Sequence, residues 1–184
     1  FFDYLKANKM ESVMQIKKYS IEDVYKMIIS NDVNGVKNGL NENKIPRDLA
    51  DEDNLSPLHF SVEMGNETIT KLLVEHGFNV NCMSFSNKIS PLHIAVRDNH
   101  IALVEYLLNH KARINCKNYL DYAPLHLAVN ATNIAMVRLL LKHGADPNVI
   151  TKDRRKETPL LKASTISYEL TKLLLENGAV LSND

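Results

Sequence analysis

Histidine and cysteine are the residue types in this chain best suited to hold a metal, move a proton or act as a nucleophile. The 184 residues contain seven histidines and two cysteines. A metal site needs such residues converging, and acid–base catalysis needs one set apart by its surroundings. The histidines instead recur in fixed places. His59, His93 and His126 each follow a Pro-Leu pair, in Ser56-Pro57-Leu58-His59, Ser90-Pro91-Leu92-His93 and Ala123-Pro124-Leu125-His126. His76, His110 and His143 stand directly before Gly77, Lys111 and Gly144, where a helix should stop, and His100 opens a second helix. None is left over as a ligand or a base. The sequence has no Cys-x-x-Cys, no Gly-x-Gly-x-x-Gly, no phosphate loop and no Gly-x-Ser-x-Gly elbow. Carboxylate pairs such as Asp51/Asp53 lie in polar turns. We assign no catalytic residue, no metal and no cofactor.

The histidines mark out a longer repetition. The prolines of the phrase, with a weaker fourth copy at Thr158-Pro159-Leu160, fall at intervals of 34, 33 and 35 residues. A second phrase keeps the same beat: Leu72-Leu73, Leu107-Leu108, Leu140-Leu141 and Leu174-Leu175. Proline suits the first helical position, because its missing N–H would be unbonded there anyway. Each unit therefore reads as a short helix, a tight turn at Gly65, Asn99 or Thr132, and a second helix. A left-handed residue then stops that helix: Gly77, Lys111, Gly144 or Gly178. Lys111 is the exception, since a side chain at positive φ costs about 1 kcal/mol.

Composition narrows the function. Basic and acidic residues both total 22, so the formal net charge is zero. The electrostatic footprint of a nucleic-acid binder is missing. No apolar run approaches the ~18 residues that span a bilayer. Cys82 and Cys116 stand one repeat apart. Stacked helical units lie about 8–10 Å apart, beyond the ~7 Å within which a disulfide can close. Two reduced thiols are expected, which suits a cytoplasmic protein.

A period near 33 residues carrying Thr-Pro-Leu-His-x-Ala resembles the ankyrin repeat. The resemblance covers residues 20–184 and implies an all-α solenoid of about five repeats of paired antiparallel helices with hairpin-like fingers between them. Residues 20–50 form a degenerate first repeat capped by Ser20. It has Asn43 as its left-handed stop and Asn38-Gly39 in place of the leucine pair, so it is read as a polar N-terminal cap, with Val24, Met27, Ile28 and Tyr25 buried. The full repeats lie at about 51–84, 85–117, 118–150 and 153–184. The finger around Ser84–Lys88 is one residue longer than usual and that around Thr151–Glu157 two longer. The fifth unit lacks a residue near Ser164–Ser167. Residues 1–19 are a leader or cap: Phe1, Phe2, Tyr4 and Leu5 could cover the array, and Met10–Tyr19 is weakly helical. The chain starts on Phe and keeps Leu170, Leu173, Leu174 and Leu175 in its last repeat. A longer natural protein is expected, with a further repeat or capping helix after Asp184.

Ankyrin repeats bind proteins on their concave side, so the resemblance also implies a site. By position it comprises Asp53 and Leu55, Asn87 and Ile89, Tyr119, Leu120 and Tyr122, and Arg154 and Arg155 on the fingers, with Glu63, Met64, Arg97, Asp98 and Asn130 on the first helices. Two tyrosines and a leucine in one finger suit a hot spot, although Tyr122 could instead pack onto the neighbouring finger. Arg154-Arg155-Lys156 would grip an acidic partner or form a solvated tip. The partner expected is another protein, with no nucleic acid and no membrane. The Asn/Ile/Lys-rich wording further resembles the ankyrin proteins of poxviruses. That implies a non-enzymatic host-range or immune-evasion adaptor in host-cell cytoplasm, with a host protein as partner and a host ubiquitin ligase recruited through sequence after Asp184. The alternative is the regulatory ankyrin domain of a larger enzyme or channel.

Overall fold

Each full unit starts its first helix on a proline. Ser90 and Thr158 accept hydrogen bonds from the third residue of the helices they open, and in every full unit the proline takes the first helical place. The computed structural model describes residues 17–152 and 156–181. Among them are ten helices: α1 (Ile21–Ile29), α2 (Val33–Asn41), α3 (Pro57–Glu63), α4 (Glu67–Glu75), α5 (Pro91–Arg97), α6 (Ile101–Asn109), α7 (Pro124–Asn130), α8 (Ile134–Lys142), α9 (Pro159–Ile166) and α10 (Tyr168–Glu176). They pair in sequence as five antiparallel hairpins. The first helices stack in one row, α1 on α3 and onward to α9, with α2 beside α4 and α8 beside α10 in the row behind. The fold is the all-helical solenoid expected from the repeats. The expected helix at Met10–Tyr19 and the cover by Phe1–Leu5 fall mainly or wholly outside the described residues.

The recurring leucines build the core. Leu58, Leu73, Leu92, Leu107, Leu125, Leu140, Leu160 and Leu174 are all buried between the two rows. In the last repeat Leu170 and Leu173 are buried as well, and only Leu175 of that group is half exposed. The first repeat differs from the polar cap expected. Gly39 is buried, and a Cβ there would come within 2.9 Å of both Ile45 and the Tyr19 ring. Where later repeats place a leucine, this one leaves room for Tyr19 and Ile45 to close over the helix. The Tyr19 N–H is tied to the Lys44 carbonyl at 2.8 Å.

The stops fall where expected. Asn43, Gly77, Lys111, Gly144 and Gly178 all have positive φ, as do the interhelical turns at Gly65, Asn99 and Thr132. The fifth unit has no such turn: Ser167 ends α9 and caps α10 in extended conformation, which accounts for its missing residue. Lys111 sits at φ 68°, and replacing it with glycine removes a steric cost of about 1–2 kcal/mol while making the unfolded chain floppier by about 0.4–1 kcal/mol. We expect Lys111→Gly to raise stability by about 0.5–1 kcal/mol, read as a higher urea midpoint at unchanged m-value. A lowered midpoint would show that the lysine side chain holds something glycine cannot.

Between repeats the chain turns out into fingers that contain no β-ladder among the described residues. One backbone hydrogen bond closes each: Asp51 N–H to the Leu55 carbonyl (3.1 Å), Ser84 to Ile89 (3.0 Å), Asn118 to Tyr122 (3.0 Å) and Thr151 to Glu157 (3.1 Å). The second closure is one residue wider than the first and third, and the fourth is two wider, as the intervals between prolines predict. The opening residue of each finger also accepts the returning N–H on its side chain: Asp51 from Leu55, Ser84 from Ile89, Asn118 from Tyr122 and Thr151 from Glu157.

Candidate functional site

The fingers are held to the helices by the repeated histidines. The backbone N–H of Ser56, Ser90 and Ala123 donates to Nδ1 of His59, His93 and His126 at 3.1, 3.3 and 3.1 Å. Nδ1 must therefore carry a lone pair, and the ring proton sits on Nε2. That nitrogen donates to a carbonyl of the following finger: Ile89 (3.1 Å), Tyr122 (3.1 Å) or Glu157 (3.3 Å). Burial is the leading reason that all three rings resist protonation and titrate below the ordinary histidine value. They are positioning groups with both nitrogens occupied, so none of these three rings is free to act as a base.

Cys82 and Cys116 are free thiols near the same histidines, Sγ to Nδ1 3.6 and 3.7 Å. Burial pushes both thiols up in pKa, away from the reactive thiolate. No group of three or more His, Cys, Asp or Glu residues able to hold a metal occurs among the described residues. No described helix is long and apolar enough to cross a membrane.

Fingers fixed in this way overhang the row of first helices and leave a cleft between the first three repeats. It encloses about 360 Å³ and is lined by Tyr25 of α1, Phe60 and Glu63 of α3, Arg97 of α5, and Asp51, Asp53, Leu55, Asn87 and Ile89 of two fingers. Tyr25 is only half buried, as is Met27, which corrects the burial expected of both. The Tyr25 ring lies 4.4 Å from that of Phe60, tilted by 36°. Its hydroxyl donates to the Leu55 carbonyl at 2.9 Å, with Asp51 Oδ2 at 3.4 Å. Burial and the neighbouring Asp51 raise its pKa, so the phenol stays neutral.

Around the rim, Arg97 makes a two-pronged pair with Asp98, 2.7 Å from Nε and 2.8 Å from Nη2, and reaches Glu63 more loosely at 3.3 Å. Hydrogen bonding to Arg97 holds the Asp98 carboxyl below the usual range. Asp53 accepts from the Ser86 N–H and hydroxyl, both at 2.7 Å, which ties the first finger to the second.

Of the residues expected at a site, Asp53, Leu55, Glu63, Asn87, Ile89 and Arg97 meet in the cleft, and Asp98 borders it through Arg97. Tyr119 and Leu120 stand at the tip of the next finger, 70% and 64% exposed, and Phe85 on the neighbouring finger is 71% exposed. The Tyr119 N–H donates to the Asn87 carbonyl at 2.9 Å, so this tip is fastened to the cleft wall. Tyr122 is half buried, with its hydroxyl 3.3 Å from Glu157 and its ring edge-on to His126 at 5.4 Å. Met64 and Asn130 are exposed just after α3 and at the end of α7, outside the cleft. Arg154 and Arg155 lie outside the described residues.

Sequence reasoning did not place Tyr25 or Phe60 here. The signal available for Phe60 was an aromatic ring where the later copies of the phrase have Ile94 and Leu127.

A family model described as ankyrin repeats (3 copies) matches residues 23–118 and 115–184. No curated protein matches the chain.

Proposed function

Since the chain belongs to the ankyrin-repeat family, whose members are generally protein–protein interaction modules and typically not catalysts, we propose that it is a non-enzymatic adaptor that binds another protein through its concave side. The observation that carries this reading is the pairing of a preformed cleft with exposed Phe85, Tyr119 and Leu120 on fingers that backbone bonds hold in place. Large apolar side chains on a rigid edge lose little entropy on binding, and tyrosine is enriched at hot spots. In this reading Tyr119 and Leu120 are the anchors and Tyr122 acts mainly by holding the finger.

A poxvirus-type host-range role in host-cell cytoplasm, with a host protein as partner and a ubiquitin ligase recruited through further sequence, is a narrower form of the proposal. Its support is the Asn/Ile/Lys-rich wording of the repeats. The test is capture from host-cell lysate by the chain and by Tyr119→Ala/Leu120→Ala, with folding checked by circular dichroism. Proteins retained by the chain should fall at least about tenfold on the variant, as loss of one hot spot of about 2 kcal/mol implies. Equal retention on both would overturn the reading.

A further inference from the structure

The cleft between the first three repeats has an aromatic wall and a one-sided charge, and the two together specify an occupant. Tyr25 and Phe60 stack on one another, ring centroids 4.4 Å apart, and together form an aromatic wall of the cleft. Asp51, Asp53 and Glu63 supply carboxylates, and Arg97 is the cation among the lining residues. Its guanidinium is already engaged by both oxygens of Asp98 at 2.7 and 2.8 Å, so that pair is close to neutral. Asp51 and Asp53 take their hydrogen bonds from neutral donors, namely the N–H groups of Asp53, Leu55 and Ser86 and the Ser86 and Tyr25 hydroxyls. Neither forms an ion pair with lysine or arginine among the described residues. Three negative charges thus surround an apolar wall in a chain whose overall charge is zero. A low-dielectric wall beside uncompensated carboxylates concentrates negative potential in the cleft.

We propose that this cleft takes an arginine side chain of the protein partner, its guanidinium packed on an outer face of the stacked Tyr25–Phe60 pair and bonded to Glu63. Arginine fits better than lysine because its planar, weakly hydrated head both stacks on aromatic faces and meets a carboxylate with two parallel N–H groups. Glu63 is the carboxylate free to turn to it: its side chain is 47% exposed, and its bond to Arg97 is the longest of that cluster at 3.3 Å. The cleft's volume, about 360 Å³, is at the small end for ligand sites and suits one long side chain rather than a folded element. Exposed Tyr119 and Leu120 lie on the next finger along, where the flanking residues of the same partner segment would pass.

This inference rests on the proposed protein-binding role, and its test separates the two. Random twelve-residue peptides displayed on phage are selected on the full chain. The enriched peptides are then measured by fluorescence polarisation against the chain, Glu63→Gln and Phe60→Leu. Phe60→Leu should fold, because Leu127 holds the same place in a later copy of the phrase. Enriched peptides should share an arginine. Its replacement by citrulline, which keeps the shape and removes the charge, should weaken binding about tenfold, and each protein variant about fivefold. Added salt should weaken the arginine peptide more than the citrulline one. Peptides enriched without arginine, indifference to citrulline, full affinity on both variants, or no enrichment would each overturn the cationic cleft. Loss of lysate capture on the Tyr119/Leu120 variant would still support a protein-binding edge in those cases, so either claim can fail alone.

Discussion

Acidification from about pH 7 to pH 5 should destabilise this protein steeply, and the three repeated histidines are the reason. Only a neutral imidazole offers a lone pair at Nδ1, and each of His59, His93 and His126 uses that lone pair to accept a buried backbone N–H. Protonation would set N–H against N–H in a site where charge is already disfavoured by burial. Asp51 and Asp53 near His59, and Glu157 near His126, oppose the downward shift without reversing it. The unfolded chain titrates near about 6.5 and the folded chain lower, so below that pH the unfolded state holds more protons. The stability from these groups is complete above the unfolded value and is lost as pH falls through the lower folded values. Each ring contributes a slope of up to about 1.4 kcal/mol per pH unit inside that window, and the three together up to about 4. Urea midpoints measured across the window should fall together with the rise of imidazolium signals in proton NMR. A midpoint that holds steady from about pH 7 to pH 5 would show that the rings titrate freely in the folded state.

The same histidines show why much of this molecule is legible in its sequence. A Pro-Leu-His phrase combines a helix start, a core leucine and a loop tie in three residues, and each part acts locally. The left-handed stops are equally local, so Asn43 and Lys111 could be placed by register alone, although neither is glycine. Features that depend on neighbouring repeats were not legible. Tyr25 and Phe60 are 35 residues apart, and only the stacking of α1 on α3 brings their rings together. Gly39 reads as a polar departure until Tyr19 and Ile45 are seen against it.

Asparagines form a further set of ties between repeats. Asn66 donates to Asn31 at 2.8 Å and Asn133 to Asn99 at 2.7 Å, side chain to side chain. Asn81, Asn115 and Asn148 each accept the N–H of a residue one repeat ahead: Arg113, Asp146 and Val180. Their spacing keeps the period of the prolines, but a polar residue in a turn gives no sign of its partner. The asparagine richness that makes the chain look unusual in composition is thus partly structural.

Removing one of the histidine ties should be among the most damaging single changes, and His93 is the one to remove. It lies in the middle of the array and is 1% exposed. Its Nδ1 receives the Ser90 N–H at 3.3 Å and the Ser90 hydroxyl at 2.8 Å, and its Nε2–H reaches the Tyr122 carbonyl at 3.1 Å. His93→Ala strands the Ser90 N–H in the interior, at about 1–3 kcal/mol, leaves the Tyr122 carbonyl with only the Asn118 N–H, and leaves a void where a ring had been. We expect a loss of about 4 kcal/mol in urea unfolding. His126→Ala should cost less, because Ala123 stands where Ser90 stands and offers no hydroxyl to lose. The acid slope of His93→Ala should fall by about a third, since one of three equivalent rings is gone. Stability in a solenoid is close to a sum over repeats and their interfaces, so the damage should begin at the finger that loses its tie. Hydrogen exchange should quicken first at Tyr119 and Tyr122, whose N–H groups bond to Asn87 and Asn118, while Val36 and Leu40 of α2 keep their protection. A loss below about 1 kcal/mol, with the finger still protected, would mean that Asn118 and the neighbouring finger hold it without the histidine. The repeated Pro-Leu-His phrase would then owe its place to helix initiation alone.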